Sequence, residues 1–205
     1  APEFQEAVAS STLVQADSKA PKHDASLVLD GDLTTGWEEH AGGQPSDPGI
    51  GESITLRADT EQYVSGVRII NGYTKSWMHY YWDTRPKKIT ITLSDGWSTT
   101  RTLADRGITK EYPVDGLPTY VAGEAAPQDP PEGLDVYRPL EERLTKDEVE
   151  DADFPLWQTI DFGSVHETTF VRITIDSVYE EGAKKNPSDP EDDWYDTTIT
   201  EIRAY

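Results

Sequence analysis

The chain is expected to fold as an all-β protein with antiparallel pairing, a sandwich or a barrel. Two observations predict it. Stretches rich in Ile, Val, Thr and aromatic residues alternate apolar and polar with a period of two, and no long amphipathic helix lies between them. The stretches are "ESITLRA" near 54–58, "YVSGVRII" at 63–70, "KKITITL" at 87–93, "WSTTRTL" at 97–103, "WQTIDF" at 157–162, "TTFVRITI" at 168–175 and "TTITEIRAY" at 197–205. Asp95 and Gly96 fall between two of them and predict a two-residue hairpin turn with positive φ.

An internal echo runs through this pattern. "SITLRADTEQYVSGVRIINGY" and "QTIDFGSVHETTFVRITIDSVY" each read as strand, turn and Val-Arg-Ile strand, ending on Tyr73 and Tyr179. Two copies are too few for a solenoid, so the expectation is two equivalent hairpin units in two sheets. Residues 1–205 are then one domain, interrupted by a long acidic insertion at about 113–155.

Composition narrows the partners. The 205 residues carry 18 basic and 39 acidic side chains, a formal net charge of -21. Such a field repels phosphate backbones and anionic lipid surfaces, so neither nucleic-acid binding nor membrane insertion is expected. Glu124 to Asp153 holds 11 acidic and 3 basic residues, and Glu180 to Asp196 holds 7 and 2. Both stretches are also proline-rich and read as solvated loops, the first with room for short helices at "PLEERL" and "TKDEVEDA".

Cysteine is absent, which removes disulfides, thiolate metal sites and cysteine nucleophiles together. No window reaches the about 18 consecutive apolar residues of a membrane span. The opening "APEF" reads as a cloning remnant, with any leader expected to have been removed.

Catalytic motifs are missing. His23, His40, His79 and His166 show no paired-ligand spacing, "GSV" around Ser164 is not a nucleophile elbow, and no glycine-rich phosphate loop follows a strand. The chain is read as a binding module attached to a larger protein, not an enzyme.

Two stretches stand out instead. In "LVLDGDLTTGW", residues 27–37, Asp30 and Asp32 flank a glycine and Thr35 follows, so a tight turn can aim several oxygens at a hard cation. The same residues equally suit an Asx turn, in which the carboxylates bond local amides. Trp37 in this motif reads as core. "SWMHYYW", residues 76–82, packs aromatic rings, a methionine and a histidine side by side with neither strand nor helix periodicity, so some rings must face outward.

"DGDLTTGW", "GIGESITL", "VRIINGYTKS", "TRPKKITITLSDG" and "YDTTITEIRAY" together resemble the discoidin-like, galactose-binding-domain-like β-sandwiches, and most closely the NADase-type glycan-binding domains. The likeness covers most of 8–112 and 156–205. It implies a jelly-roll sandwich. It also implies a structural calcium held by Asp30, Asp32, Thr35 and Glu201, with a carbonyl near Leu27 and that of Thr200 completing the shell.

In this resemblance "NGYTKSWMHYYWDTRPKK" is a rim loop that binds glycan. Asn71, Gly72, Tyr73, Lys75, Ser76, Arg85, Pro86 and Lys87 match the family pattern, while the Trp-rich middle departs from it. Sugars present apolar C–H faces and a ring of hydroxyls, which flat aromatic faces and forked polar groups hold together. Tyr73, Trp77, Tyr80 and Trp82 would supply the face; Lys75, His79, Asp83 and Arg85 would supply the hydrogen bonds. The expected molecule is thus an extracellular or cell-surface carbohydrate-binding monomer. A protein-interaction or adhesion domain using the same aromatic loop is the alternative.

Overall fold

The computed structural model describes residues 2–13, 23–40, 48–75, 79–80, 83–104, 156–179, 185–186, 189–193 and 196–205. The acidic insertion at 113–155 and its two short helix expectations lie outside them.

Among the described residues there are nine strands: β1 (Glu6–Ala9), β2 (Trp37–Glu38), β3 (Ser53–Asn71), β4 (Arg85–Leu93), β5 (Ser98–Thr102), β6 (Trp157–Tyr179), β7 (Lys185–Asn186), β8 (Asp189–Asp193) and β9 (Thr198–Ala204). A 3₁₀ turn, Ala25–Leu29, is started by Asp24, whose Oδ1 accepts the Ser26 amide at 2.9 Å. Hydrogen bonding follows the order β2-β9-β3-β6-β4-β5, with β1 also on β3.

Strands β3 and β6 make this path a sandwich. They pair antiparallel along almost their whole length, but the register slips between Arg57 and Gln62 and again between Val64 and Gly66. The first slip adds residues to β3 and the second adds 162–165 to β6, around Gly163 with φ 80°. Such irregularities bend a ribbon sharply. One half of the ribbon joins β9 and β2, and the other joins β1, β4 and β5.

The two faces close on one core. Ile54, Leu56, Ile89, Ile91, Val171 and Ile173 from one sheet and Val67, Ile69, Ile199 and Ile202 from the other belong to a single buried cluster. Each such side chain contributes about 1.5–3 kcal/mol. Trp37 joins them with zero exposure and donates its indole N–H to Ser11 O at 2.9 Å. A smaller cluster of Leu33, Ile70, Leu156 and Trp157 covers the outer face of the β3–β6 pair.

Three expectations are corrected. The echoed units are two single long strands that pair with each other, not two hairpins, because their central polar residues form the bend. Asp95 lacks positive φ; Leu93 N–H donates to Trp97 O and Gly96 N–H to Leu93 O, so the loop has three residues and only Gly96 is left-handed, with φ 90°. The acidic segment 180–196, read as loop, contains the paired strands β7 and β8.

Strand β9 carries the feature that shapes the rim. Its register against β3 jumps between Ile70 and Asn71, which face Glu201 and Ile199. Thr200 is therefore a bulge. Ile199 and Ile202 both enter the core although three residues apart, and Thr200 and Glu201 are free to serve the neighbouring loops.

Candidate functional site

Of the residues predicted to bind ligand, those within the described residues gather at the end of the sandwich where β3 stops and β4 starts. Gly72, with φ 83°, turns the chain out of β3 and its carbonyl accepts the Thr200 hydroxyl at 2.6 Å. Thr74 donates its hydroxyl to Leu33 O at 2.7 Å and its amide to Thr200 Oγ1 at 3.1 Å. The loop is thus fastened to the bulged strand and to the Asp30–Thr35 segment. At its far end Asp83 N–H donates to His79 O, closing one helical turn, and Thr84 N–H donates to Asp196 O, both at 3.2 Å.

Three predicted contacts are turned inward. Arg85 has zero exposure; its Nη1 donates to Tyr80 O at 2.7 Å and to Asp83 O at 3.2 Å, and its guanidinium lies 5.0 Å from the centre of the Tyr80 ring. A buried guanidinium must find acceptors, and the loop's own carbonyls are the nearest. Tyr80 is 3% exposed and Asp83 4%. These side chains build the loop and offer no open surface, contrary to the expected ring face and hydroxyl donors. Burial first, then Glu38 and Asp196, holds the Asp83 carboxyl well above the usual carboxylate range.

Tyr73, a fourth predicted contact and one expected in the ring face, is buried as well, at 5% exposure beneath the rim. Its ring meets His79 edge-on at 5.1 Å and His23 edge-on at 5.9 Å, while Lys75 Nζ stands 5.8 Å from its centre. Burial, with Glu38 and Asp83 nearby, raises the pKa of its hydroxyl. Lys75 and His79 are only half-buried. Burial and the Lys75 and His23 charges lower the His79 imidazole to about 4, so it is neutral at ordinary pH. Trp77 and Trp82 lie outside the described residues.

Two members of this cluster went unread in the sequence. His23 Nδ1 lies 2.5 Å from Glu38 Oε2, at an angle outside hydrogen-bond geometry, and both side chains are buried. No motif marks His23. Glu38 follows the buried Trp37 in "GWEEH", a place where a short strand must turn an acid inward.

Of the four predicted metal-site residues, Asp30, Thr35 and Glu201 are brought together by the Asp30 loop and β9, while the Asp32 carboxylate turns to Thr34. Asp30 Oδ2 accepts the Thr35 hydroxyl at 2.8 Å and its Oδ1 accepts the Asp32 amide at 2.8 Å. Asp32 Oδ1 accepts the Thr34 amide and hydroxyl at 2.8 and 2.7 Å. The Asx-turn bonds are therefore made. Glu201 has zero exposure; Oε1 accepts the Gly31 amide at 2.7 Å, while Oε2 has no hydrogen-bond partner and lies 3.6 Å from Arg203. Burial, with Asp30 alongside, pushes the Glu201 carboxyl up to about 9, against the opposing pull of Arg203 and Gly31.

An orphaned buried carboxylate oxygen beside a second carboxylate fits a cation. Among the described residues no group of three or more His, Cys, Asp or Glu side chains could hold a metal ion. The donor set would rest on the Asp30 and Glu201 carboxylates with hydroxyl and carbonyl oxygens, the chemistry of a hard ion rather than of zinc.

A β-sandwich whose chemistry-bearing side chains sit in rim loops defines the class. The chain belongs to the family described as the NAD glycohydrolase translocation F5/8 type C domain, whose pattern matches residues 2–116. No curated protein sequence matches it.

Among solved structures, it resembles the arabinofuranosyltransferase AftD from Mycobacteria at 13% identity and a TM-score of 0.50. All of this chain is covered but only 11% of that one. A family 32 carbohydrate-binding module from C. perfringens NanJ, in complex with galactose, is similar at 14% identity and a TM-score of 0.46, covering 97% of this chain and 91% of that one. Chitosan-binding module 1 of a Paenibacillus sp. IK-5 chitosanase/glucanase is similar at 14% identity and a TM-score of 0.45, with 98% and 95% covered. At these identities the likeness is one of fold. Among the described residues no helix is long and apolar enough to cross a membrane.

Proposed function

We propose that this chain is a carbohydrate-binding module whose ligand contacts come from the loop between β3 and β4, a non-catalytic rim that holds its sugar without transforming it. The observation that carries the reading is the grouping of partly exposed Lys75 and His79 around the Tyr73 ring at one end of the sandwich. An ammonium and a neutral imidazole donate to and accept from sugar hydroxyls, and they are held in place by a loop fastened at both ends. Trp77 and Trp82 enter as the sequence's candidates for the stacking face. Tyr73 supports His79 and Lys75 from beneath. An extracellular or cell-surface setting, and a monomeric state, go with this reading.

Asp30, Asp32, Thr35 and Glu201 hold a structural calcium in the same proposal. Bound there, the ion would neutralise crowded carboxylates and clamp the loop after the 3₁₀ turn onto β9. The orphaned Glu201 Oε2 supports it.

A glycan array followed by calorimetry on Lys75→Ala and His79→Ala tests the site. Each change is expected to weaken binding about tenfold, the loss of roughly one hydrogen bond to a charged or well-placed group. Full binding by both variants rejects the site. The family description names translocation of an NAD glycohydrolase, which favours protein contact as the second reading. A stoichiometric protein partner, captured regardless of added sugar, would select it.

A further inference from the structure

At the opposite end of β4 from the rim, about 30 Å away along its nine residues, three side chains from two separate segments form a relay. Ser164 Oγ lies 2.9 Å from His166 Nε2, and His166 Nδ1 lies 2.8 Å from Asp95 Oδ2. The two ring nitrogens are used in the order that activates a serine: one against the carboxylate, the other against the hydroxyl.

The protonation states follow from the surroundings. Asp95 Oδ1 accepts the Trp97 amide at 2.8 Å, and that bond, together with His166, holds the carboxyl below its ordinary range. An ionised carboxylate only accepts, so His166 Nδ1 carries the proton and faces it. With one proton on the ring, Nε2 is the acceptor and the Ser164 O–H donates to it.

The imidazole is also immobilised. Its side chain is 12% exposed, with Trp97 at 4.8 Å and Phe162 at 6.1 Å between ring centres. Ser164 itself is exposed, on the corner that begins with Gly163, where an added Cβ would meet nothing within 4 Å. A fixed base thus sits against an open hydroxyl.

We propose that Ser164 is an activated nucleophile that cleaves carboxylic esters. Ser164 Oγ attacks the ester carbonyl as its proton passes to His166 Nε2. The C–O bond to the alcohol breaks and the alcohol leaves with that proton, giving acyl-Ser164. Water, deprotonated by the same nitrogen, releases the acid and restores the hydroxyl. Asp95 is the positioning residue.

p-Nitrophenyl acetate is the probe. The expected result is a burst of nitrophenolate with one acetyl group located on Ser164 by peptide mass, at a rate lowered about 100-fold or more in His166→Gln and Asp95→Asn. Ser164→Ala abolishes the burst with an unchanged melting temperature. Acetyl found only on other residues overturns the proposal. So does an acylation rate that stays the same in His166→Gln and Asp95→Asn while their melting temperatures fall, because that is the signature of a purely structural network. Sugar binding at the far rim is measured separately and does not enter either outcome.

Discussion

Glu201 Oε1 accepts a hydrogen bond from the Gly31 amide at 2.7 Å, across 170 residues of sequence. Its second oxygen is buried with no such partner. Arg203 stands 3.6 Å from that oxygen, beyond hydrogen-bond reach, and burial still favours the neutral acid unless a closer cation is bound.

Calcium is therefore expected to invert the ranking of two proteins. In chelator, Glu201→Gln melts at or above the parent, since the amide spares the fold a buried charge. In calcium the parent melts higher, by about 2.7 kcal/mol at a hundredfold excess over the dissociation constant. Differential scanning calorimetry of both proteins in both buffers reads this directly; a parent indifferent to calcium removes the ion.

Acid tests the rim. His79 titrates at about 4 in the folded protein against an ordinary 6.5. Between these values the unfolded chain binds the extra proton, so the contribution of this group is complete above 6.5 and is lost as pH falls toward 4. His79→Gln is expected to flatten the pH dependence of stability across that window relative to the parent. Parallel curves would show an ordinary, solvated imidazole.

Gly72 tests the buried Arg85. An added Cβ would lie 2.8 Å from Arg85 Cδ and 2.9 Å from Tyr80 Cε2, at φ 83°. Gly72→Ala should cost roughly 2–4 kcal/mol, backbone strain plus overpacking. Gly96→Ala is the control: φ is 90° but the Cβ meets nothing, so only the strain of about 1–2 kcal/mol remains. Equal losses in urea titrations would mean that the Arg85 packing is unimportant.

Lys75 separates affinity from stability. Being half-buried, it should weaken a glycan about tenfold on truncation to alanine with little change in melting temperature, whereas Arg85→Ala should unfold the rim. Calorimetric titration of both variants with one array-positive sugar checks the contrast.

The strands were legible because Ile89, Ile91 and Leu93 alternate with Thr90 and Thr92, the signature of a half-buried strand. What escaped was where that rule breaks. Period two places Glu201 on the face of Ile199, yet the Thr200 bulge sends Ile202 inward and Glu201 to Gly31. Likewise "RADTEQYV" and "GSVHET" have the composition of turns, and only pairing partners distant in sequence reveal them as bends in continuous strands. The placing of Glu201 beside the Asp30 loop came from resemblance, because no local pattern links residues 170 apart in sequence. The inward direction of Arg85 and Tyr80 could not be read, because a charged or aromatic residue in a loop has the same letter whether it faces a sugar or a carbonyl. The His166 relay joins residues of no recognisable motif.

The shared ribbon of β3 and β6 has one more implication. Neither half of the molecule owns its central strands, so neither can come apart while the other persists. Amides at Ile54 and at Ile69, in opposite halves, should exchange with solvent through the same whole-molecule opening. A protein built this way resists partial fraying and yields, when it does, all at once.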